Sequence, residues 1–178
     1  MSRPTTFAPI GLALTSLTVI LLAGACGGSG VASPTERLWV SAVPTSTKQE
    51  LSAFVTTRTG DGKYLGAFFH GSALRGNHDV FSYKDDGKGG AVLEFLQDGR
   101  LAKVRFEKCD PSRGFDYCLL VHGDPTGAKR YQSRKRWTVR RPGKKAIDAL
   151  LVPLIISELA EDDDELAAAV TIDDADAS

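Results

Sequence analysis

The most asymmetric group of charged residues in the sequence lies between Lys129 and Lys145. This segment contains nine basic residues and no acidic one. If it forms a β-strand, alternate side chains share a face, and that face carries Arg130, Arg134, Arg136 and Arg140. Guanidinium groups in a row bind phosphate or carboxylate groups through paired hydrogen bonds. The pattern therefore predicts an anionic-ligand face on this strand.

An acidic segment farther along the chain gives a second interpretation of the same arginines. Glu161 to Asp176 includes eight acidic residues and no basic one. These acids could lie over the basic strand and neutralise it. A charged outer face also protects a strand at the edge of a sheet from pairing with other chains. The sequence leaves both interpretations open.

A second group of polar side chains comprises His70, Ser72, His78 and Asp79. A serine near histidines is a starting point for a hydrolase, and histidines with nearby aspartates can bind zinc. However, the nucleophile motif GxSxG is absent, and no ligand spacing of a known zinc site is present. The surrounding glycines fit a sharp corner or bulge between strands equally well. We therefore expect neither a metal nor a cofactor, and we lean against catalysis.

The beginning of the chain carries a targeting pattern. Arg3 is the first charged residue and Glu36 is the next, and Phe7 to Leu22 is mostly apolar. A short positive head, an apolar middle and then small residues form the layout of a secretory signal. Ala23-Gly24-Ala25 directly precede Cys26, and this arrangement resembles the lipobox of bacterial lipoproteins. The resemblance covers residues 1–26 only, and it implies cleavage before Cys26 and attachment of lipid to its thiol.

An uncleaved transmembrane anchor is the alternative for the same segment. About 20 apolar residues span a bilayer, and this stretch is slightly shorter. Pro9 and Gly11 also weaken a spanning helix, and the cysteine after small residues favours the lipoprotein. The resulting organisation is a signal peptide over 1–25, a lipidated tether over 26–35, one β-rich domain with a C-terminal helix over 36–160, and an acidic tail over 161–178.

Export to the cell envelope limits both the partners and the cysteine chemistry. An exported protein anchored at the cell membrane or the outer membrane does not meet nucleic acid. The remaining partners for the basic strand are anionic lipid, polysaccharide or an acidic protein. Lipidation of Cys26 leaves Cys109 and Cys118 as a pair, with a turn-rich segment between them. In an oxidising compartment we expect these two cysteines to form a structural disulfide.

Strand and turn signals alternate along the exported part of the chain. The candidate strands are Arg37–Val43, Leu51–Arg58, Lys63–His70, His78–Tyr83, Ala91–Leu96, Leu101–Lys108, Tyr117–His122 and Arg130–Arg140. Glycine and aspartate residues between them suit tight hairpins. We therefore predict a mainly β fold, an antiparallel meander of about eight strands that forms a barrel or a curved sheet.

Several of these strands are apolar on both faces, so something must cover the second face of the sheet. We assign this role to a C-terminal helix over Lys144–Ala160, followed by a second short helix over Asp163–Val170. On the basic strand, Tyr131 and Trp137 are expected to share the face opposite the arginines.

Three classes of function remain, ranked here in order of preference. A binding module would hold an apolar ligand inside the barrel or an anionic ligand on the basic strand. An envelope assembly factor or inhibitor would work by protein contact. A hydrolase would use Ser72 with His70 or His78. An apolar cavity inside the barrel would favour a ligand carrier, whereas a filled core would direct attention to the outer surface.

Overall fold

The computed structural model describes residues 33–46, 48–72, 75–139 and 152–170. The strands are β1 (Leu38–Val40), β2 (Leu51–Arg58), β3 (Tyr64–Gly71), β4 (Gly76–Asp85), β5 (Gly90–Phe95), β6 (Leu101–Lys108), β7 (Tyr117–His122) and β8 (Arg130–Ser133). Two helices follow, α1 (Val152–Ala160) and α2 (Asp164–Val170). The predictions for Cys26, for Arg140 and for a helix over residues 144–151 lie outside the described residues.

The strands form a closed antiparallel barrel in which each strand pairs with its neighbours in the sequence. The barrel closes where Val40 of β1 pairs with Gln132 of β8. Two further hydrogen bonds extend this seam. The Leu38 amide donates to the Trp137 carbonyl at 3.1 Å, and the Ser133 hydroxyl donates to the Leu38 carbonyl at 2.7 Å. The predicted antiparallel meander is confirmed, in the form of a barrel.

Large apolar side chains fill the inside of the barrel. This inner cluster consists of Trp39, Phe54, Phe68, Phe81, Tyr83, Ala91, Leu93, Phe95, Val104, Leu119, Val121 and Tyr131. No residue of the inner cluster is more than 7% exposed. Phe54 has its ring centroid 4.9 Å from that of Tyr131 and 5.7 Å from that of Phe68. The interior is therefore packed like the core of a domain, as side chains typically fill small eight-stranded barrels.

The two helices cover one side of the barrel. Successive residues of a strand point to opposite faces, so the residues between those of the inner cluster point outward. On β1, β2 and β3 these outward residues pack against α1 and α2 and form an outer cluster. Its members are Leu38, Val40, Leu51, Ala53, Val55, Ala67, Phe69, Trp137, Val139, Val152, Ile155, Ile156, Ala160 and Leu166. This packing explains why several strands are apolar on both faces.

The basic strand is shorter than predicted. β8 ends at Ser133, and a turn follows in which the Trp137 amide donates to the Arg134 carbonyl at 2.9 Å. The turn breaks the alternation of faces on which the prediction depended. Tyr131 lies in the inner cluster and Trp137 lies in the outer cluster, so the prediction that they share a face is wrong.

Candidate functional site

The arginines of the predicted anionic-ligand face do not form one row. Arg134 is 6% exposed, and its Nη1 atom lies 2.6 Å from Oδ1 of Asp163. Its Nη2 atom pairs with Glu165. Arg136 also reaches Asp163, with 2.8 Å between Nη2 and Oδ2. The structure therefore brings these two arginines to acidic side chains, as in the second interpretation of the sequence.

Asp163 is the centre of this ionic network. Its carboxylate also accepts a hydrogen bond from Nε1 of Trp137 at 2.9 Å and one from the Leu166 amide at 3.3 Å, so it caps the beginning of α2. Burial alone would raise the pKa of Asp163, but the bonds donated by Trp137 and Arg134 outweigh burial and hold this pKa below its usual value. The network joins the chain after β8 to α2, which is a structural role.

Arg130 lies apart from that network, and the predicted disulfide is present beside it. Cys109 and Cys118 are bonded, with 5.0 Å between their Cα atoms. The exposed Arg130 side chain donates to the carbonyl of Asp110 at 2.6 Å, in the loop that the disulfide closes. The four arginines of the predicted face therefore do not act together. Arg130 bonds the disulfide loop, Arg134 and Arg136 pair with Asp163, and Arg140 lies outside the described residues.

Ser72 does not meet a histidine. Its hydroxyl donates to the carbonyl of Arg75 at 3.3 Å across the turn between β3 and β4. His70 contacts Ser52 instead, with 3.0 Å between Nδ1 and the hydroxyl oxygen, and its Nε2 atom lies 3.9 Å from Glu50. The sequence alone does not predict this Ser-His-Glu group, because Ser52 and His70 lie on neighbouring strands and Glu50 precedes the first residue of β2.

The geometry of this group is that of a cross-strand contact. Ser52 and His70 are direct partners in the register of β2 and β3, and Ser52 is only 7% exposed. A distance of 3.9 Å between His70 and Glu50 is too long for a hydrogen bond. The Ser52 amide is already bonded to the hydroxyl of Ser41 at 2.9 Å, so this amide is not free to stabilise an oxyanion.

His78 and Asp79 also lie apart from Ser72. The His78 ring packs against Phe69, with 5.1 Å between the ring centroids. Burial lowers the pKa of His78, and its Nε2 atom has no hydrogen-bond partner within the described ranges. Asp79 is exposed on the other face of β4. The four predicted polar residues therefore do not converge on one point.

A cluster of basic side chains that the sequence analysis missed lies on the outer face of β5, β6 and β7. It borders a depression of about 470 Å³, here called the basic cleft. The cleft is lined by Asp86, Lys88, Lys103, Val104, Arg105, His122 and Gly123. Arg105 is paired in the sheet with Gly90 on one side and His122 on the other. Gly90 has no side chain, and the Asp86 carboxylate fills that position, because a Cβ atom on Gly90 would lie 2.6 Å from Oδ2 of Asp86.

One acidic side chain, Asp86, lines the cleft among its three cations, and Glu107 lies next to the cleft on β6. Asp86 accepts bonds from the amides of Lys88 at 2.7 Å and Gly90 at 2.9 Å, and these bonds, together with the nearby charges of Lys88 and Arg105, lower its pKa. Glu107 bonds Nε2 of His122 at 3.1 Å. Among the described residues, the ion pairs do not include Lys88, Lys103 or Arg105. The cleft therefore keeps an excess of positive charge.

One sequence signal for this cleft exists, although it is incomplete. Lys103-Val104-Arg105-Phe106 alternates polar and apolar residues, which predicts two cations on the outer face of β6. The sequence does not show that the β4–β5 turn, with Lys88, lies beside them. That neighbourhood depends on strand register and barrel curvature, which no local pattern specifies.

Within the ranges given above, no three histidine, cysteine or acidic side chains are grouped so that they could hold a metal ion. In the same ranges, neither helix has the length and hydrophobicity required to cross a bilayer. Comparison of the chain with protein-family models, with curated proteins and with solved structures finds no match.

Proposed function

We propose that this chain is an exported, lipid-anchored, non-catalytic binding module that holds an anionic ligand of the cell envelope on the outer face of its barrel. The observation that carries the proposal is the basic cleft, where Lys88, Lys103 and Arg105 border a depression of about 470 Å³. Depressions of this size hold small ligands or parts of larger ones. The lining holds these three cations and one carboxylate, that of Asp86, so positive charge remains in excess and favours a negatively charged ligand.

The packed interior supports an outer site over an inner one. A carrier of an apolar ligand needs a cavity lined by apolar side chains, and the inner cluster fills that position in this barrel. The lipobox resemblance at Cys26 supports the anchor, because lipid on that cysteine would hold the barrel beside a membrane surface. The basic cleft would then face an environment rich in anionic groups.

The proposal is tested by measuring binding to the unlipidated mature chain, which begins at residue 26 and carries Cys26→Ser. Its ligands are phosphatidylglycerol vesicles, a carboxylated polysaccharide, an acidic protein and a fatty acid. We expect binding to at least one anionic ligand that weakens as ionic strength rises, since salt screens charge. Binding of the fatty acid alone would replace this function with that of a carrier. Ester hydrolysis that disappears in Ser52→Ala would replace it with catalysis.

A second candidate function, contact with another envelope protein, is favoured by one observation. Leu96 and Leu101, beside the turn between β5 and β6, are 55% and 65% exposed. Large exposed apolar side chains that lie close together often mark contact surfaces. Replacing both leucines with serine and crosslinking the protein in intact cells tests this candidate. Loss of a crosslinked partner, with anionic-ligand binding unchanged, would favour protein contact.

A further inference from the structure

We infer that the basic cleft is a phosphate-binding site, which takes a phosphate group from a lipid headgroup or from a free phosphate compound. This inference rests on the proposed function and narrows its ligand class. Arg105 presents a planar fork of donors that matches phosphate oxygens, whereas Lys88 and Lys103 present compact charges. With the Asp86 carboxylate included, the lining keeps about two positive charges, which suit a phosphate monoester of between one and two negative charges at neutral pH better than a single carboxylate.

The walls of the cleft are held in place by close backbone packing. A Cβ atom on Gly90 would lie 2.7 Å from the carbonyl oxygen of Val104 and 2.6 Å from Oδ2 of Asp86. A Cβ atom on Gly123 would lie 2.5 Å from the carbonyl oxygen of Lys103. The β4–β5 turn and the end of β7 thus fit closely against β6. The cations therefore extend from fixed backbone positions, which lowers the cost of ordering them around a ligand.

One exposed apolar side chain, Leu101, lies on the outer face of β6 beyond the cleft. Leu101 lies on the same face of β6 as Lys103 and Arg105, because residues two apart on a strand share a face. It is 65% exposed. A lipid whose phosphate lies in the cleft would gain one apolar contact at this leucine, whose partner in the sheet is the exposed Glu94. A free phosphate compound would use the cations alone, so the two sources differ in what binding requires.

The experiment uses the unlipidated mature chain with Cys26→Ser, which contains all the described elements. One arm measures binding of glycerol phosphate against acetate by titration calorimetry. The other measures sedimentation with vesicles that contain phosphatidic acid, whose headgroup is a phosphate monoester, against vesicles of phosphatidylcholine alone. The test variant is Lys103→Ala with Arg105→Ala. The matched control is Arg113→Ala with Lys135→Ala, which removes the same charge from exposed residues outside the cleft.

We expect the test variant to bind roughly 30-fold more weakly, since each cation near an anionic surface contributes about fivefold. We expect the control variant to change binding less than about twofold, in the range of a distant surface charge. Binding of glycerol phosphate with this pattern assigns a free phosphate as the source, and binding only to phosphatidic acid vesicles assigns a lipid. If the double variant does not fold, Lys88→Ala gives the same test with an expected loss of about fivefold.

Three results would overturn the inference. These are equal weakening in the test and control variants, acetate bound as tightly as glycerol phosphate, and no change in the test variant. In each of these cases an anionic ligand still binds, so the proposed function stands. Only the position of the binding site or the chemical class of the ligand changes. If the unmodified chain binds no anionic ligand at all, the proposed function and the inference fail together.

Discussion

At the scale of single residues, the Asp163 carboxylate accepts hydrogen bonds from four different residues. One buried carboxylate accepts bonds from Arg134, Arg136 and Trp137 and also caps α2. A buried charge is costly unless it is paired and hydrogen-bonded, and here its partners satisfy it. Removing the carboxylate would leave the buried guanidinium of Arg134 without its main counter-ion.

We predict that Asp163→Asn lowers the free energy of unfolding at neutral pH by about 3–5 kcal/mol, the range for breaking one side of a buried ion pair. Urea unfolding followed by circular dichroism measures this change. Asp162→Asn removes an equal charge from the exposed neighbouring residue. We expect it to cost less than about 0.5 kcal/mol. Equal effects of the two substitutions would contradict the role assigned to Asp163.

The stabilising role of Asp163 can also be measured through the pH dependence of the free energy of unfolding. The folded-state pKa of Asp163 is below its usual value, so the unfolded chain binds more protons as the pH falls. Its contribution to stability is therefore present above about pH 4, near the unfolded pKa. It is lost as the pH falls through the folded pKa. Thermal unfolding over acidic pH should show a shallower decline in Asp163→Asn than in the unsubstituted chain.

At the scale of elements, the sequence predicts most strands because turn residues mark their ends. The predicted bounds of β2, β6 and β7 agree with the structure. The end of β8 was wrong, because residues 134–136 carry no glycine, proline or asparagine to signal a turn. What fixes that turn is a tertiary contact, the pairing of Arg134 with Asp163. The basic cleft was not predicted either, because its side chains come from three separate places in the sequence and only tertiary contacts bring them together.

The loop between β6 and β7 depends on its disulfide. The loop contains the carbonyl of Asp110 that accepts a bond from Arg130. It also contains Phe115, which packs edge-on against Trp137 with 5.9 Å between ring centroids. We predict that Cys109→Ala with Cys118→Ala lowers the free energy of unfolding by about 2–3 kcal/mol, as for closure of a loop of about ten residues. Unfolding with and without reductant checks this. Reductant should destabilise the unsubstituted chain and leave the double variant unchanged.

At the scale of the whole molecule, the antiparallel order separates the two ends of the barrel. The beginning of β1 lies at the end that carries the β2–β3, β4–β5 and β6–β7 turns. The other connections, including the β5–β6 turn with Leu96 and Leu101, lie at the opposite end. A tether attached before β1 would therefore place the exposed leucines at the end farther from the attachment point. Lys88, in the β4–β5 turn, lies at the nearer end.

The anchor itself is tested by Cys26→Ala in the full chain. We predict that this variant remains unprocessed and incorporates no labelled palmitate, because the thiol that receives the lipid is missing. Gel mobility and labelling in growing cells measure both properties. Cys109→Ala with Cys118→Ala serves as the control and should still be cut and labelled. A Cys26→Ala protein that is processed and carries lipid would exclude the proposed anchor.

The two tryptophans of the sequence report on different layers of the structure. Trp39 stacks on Phe54 inside the barrel, whereas Trp137 lies under the helices and bonds Asp163. Both are fully buried. Fluorescence from Trp39→Phe would therefore follow the departure of the helical layer alone, and fluorescence from Trp137→Phe would follow the opening of the barrel. The chain thus contains two intrinsic optical probes that can resolve whether helices and barrel come apart in one step or in two.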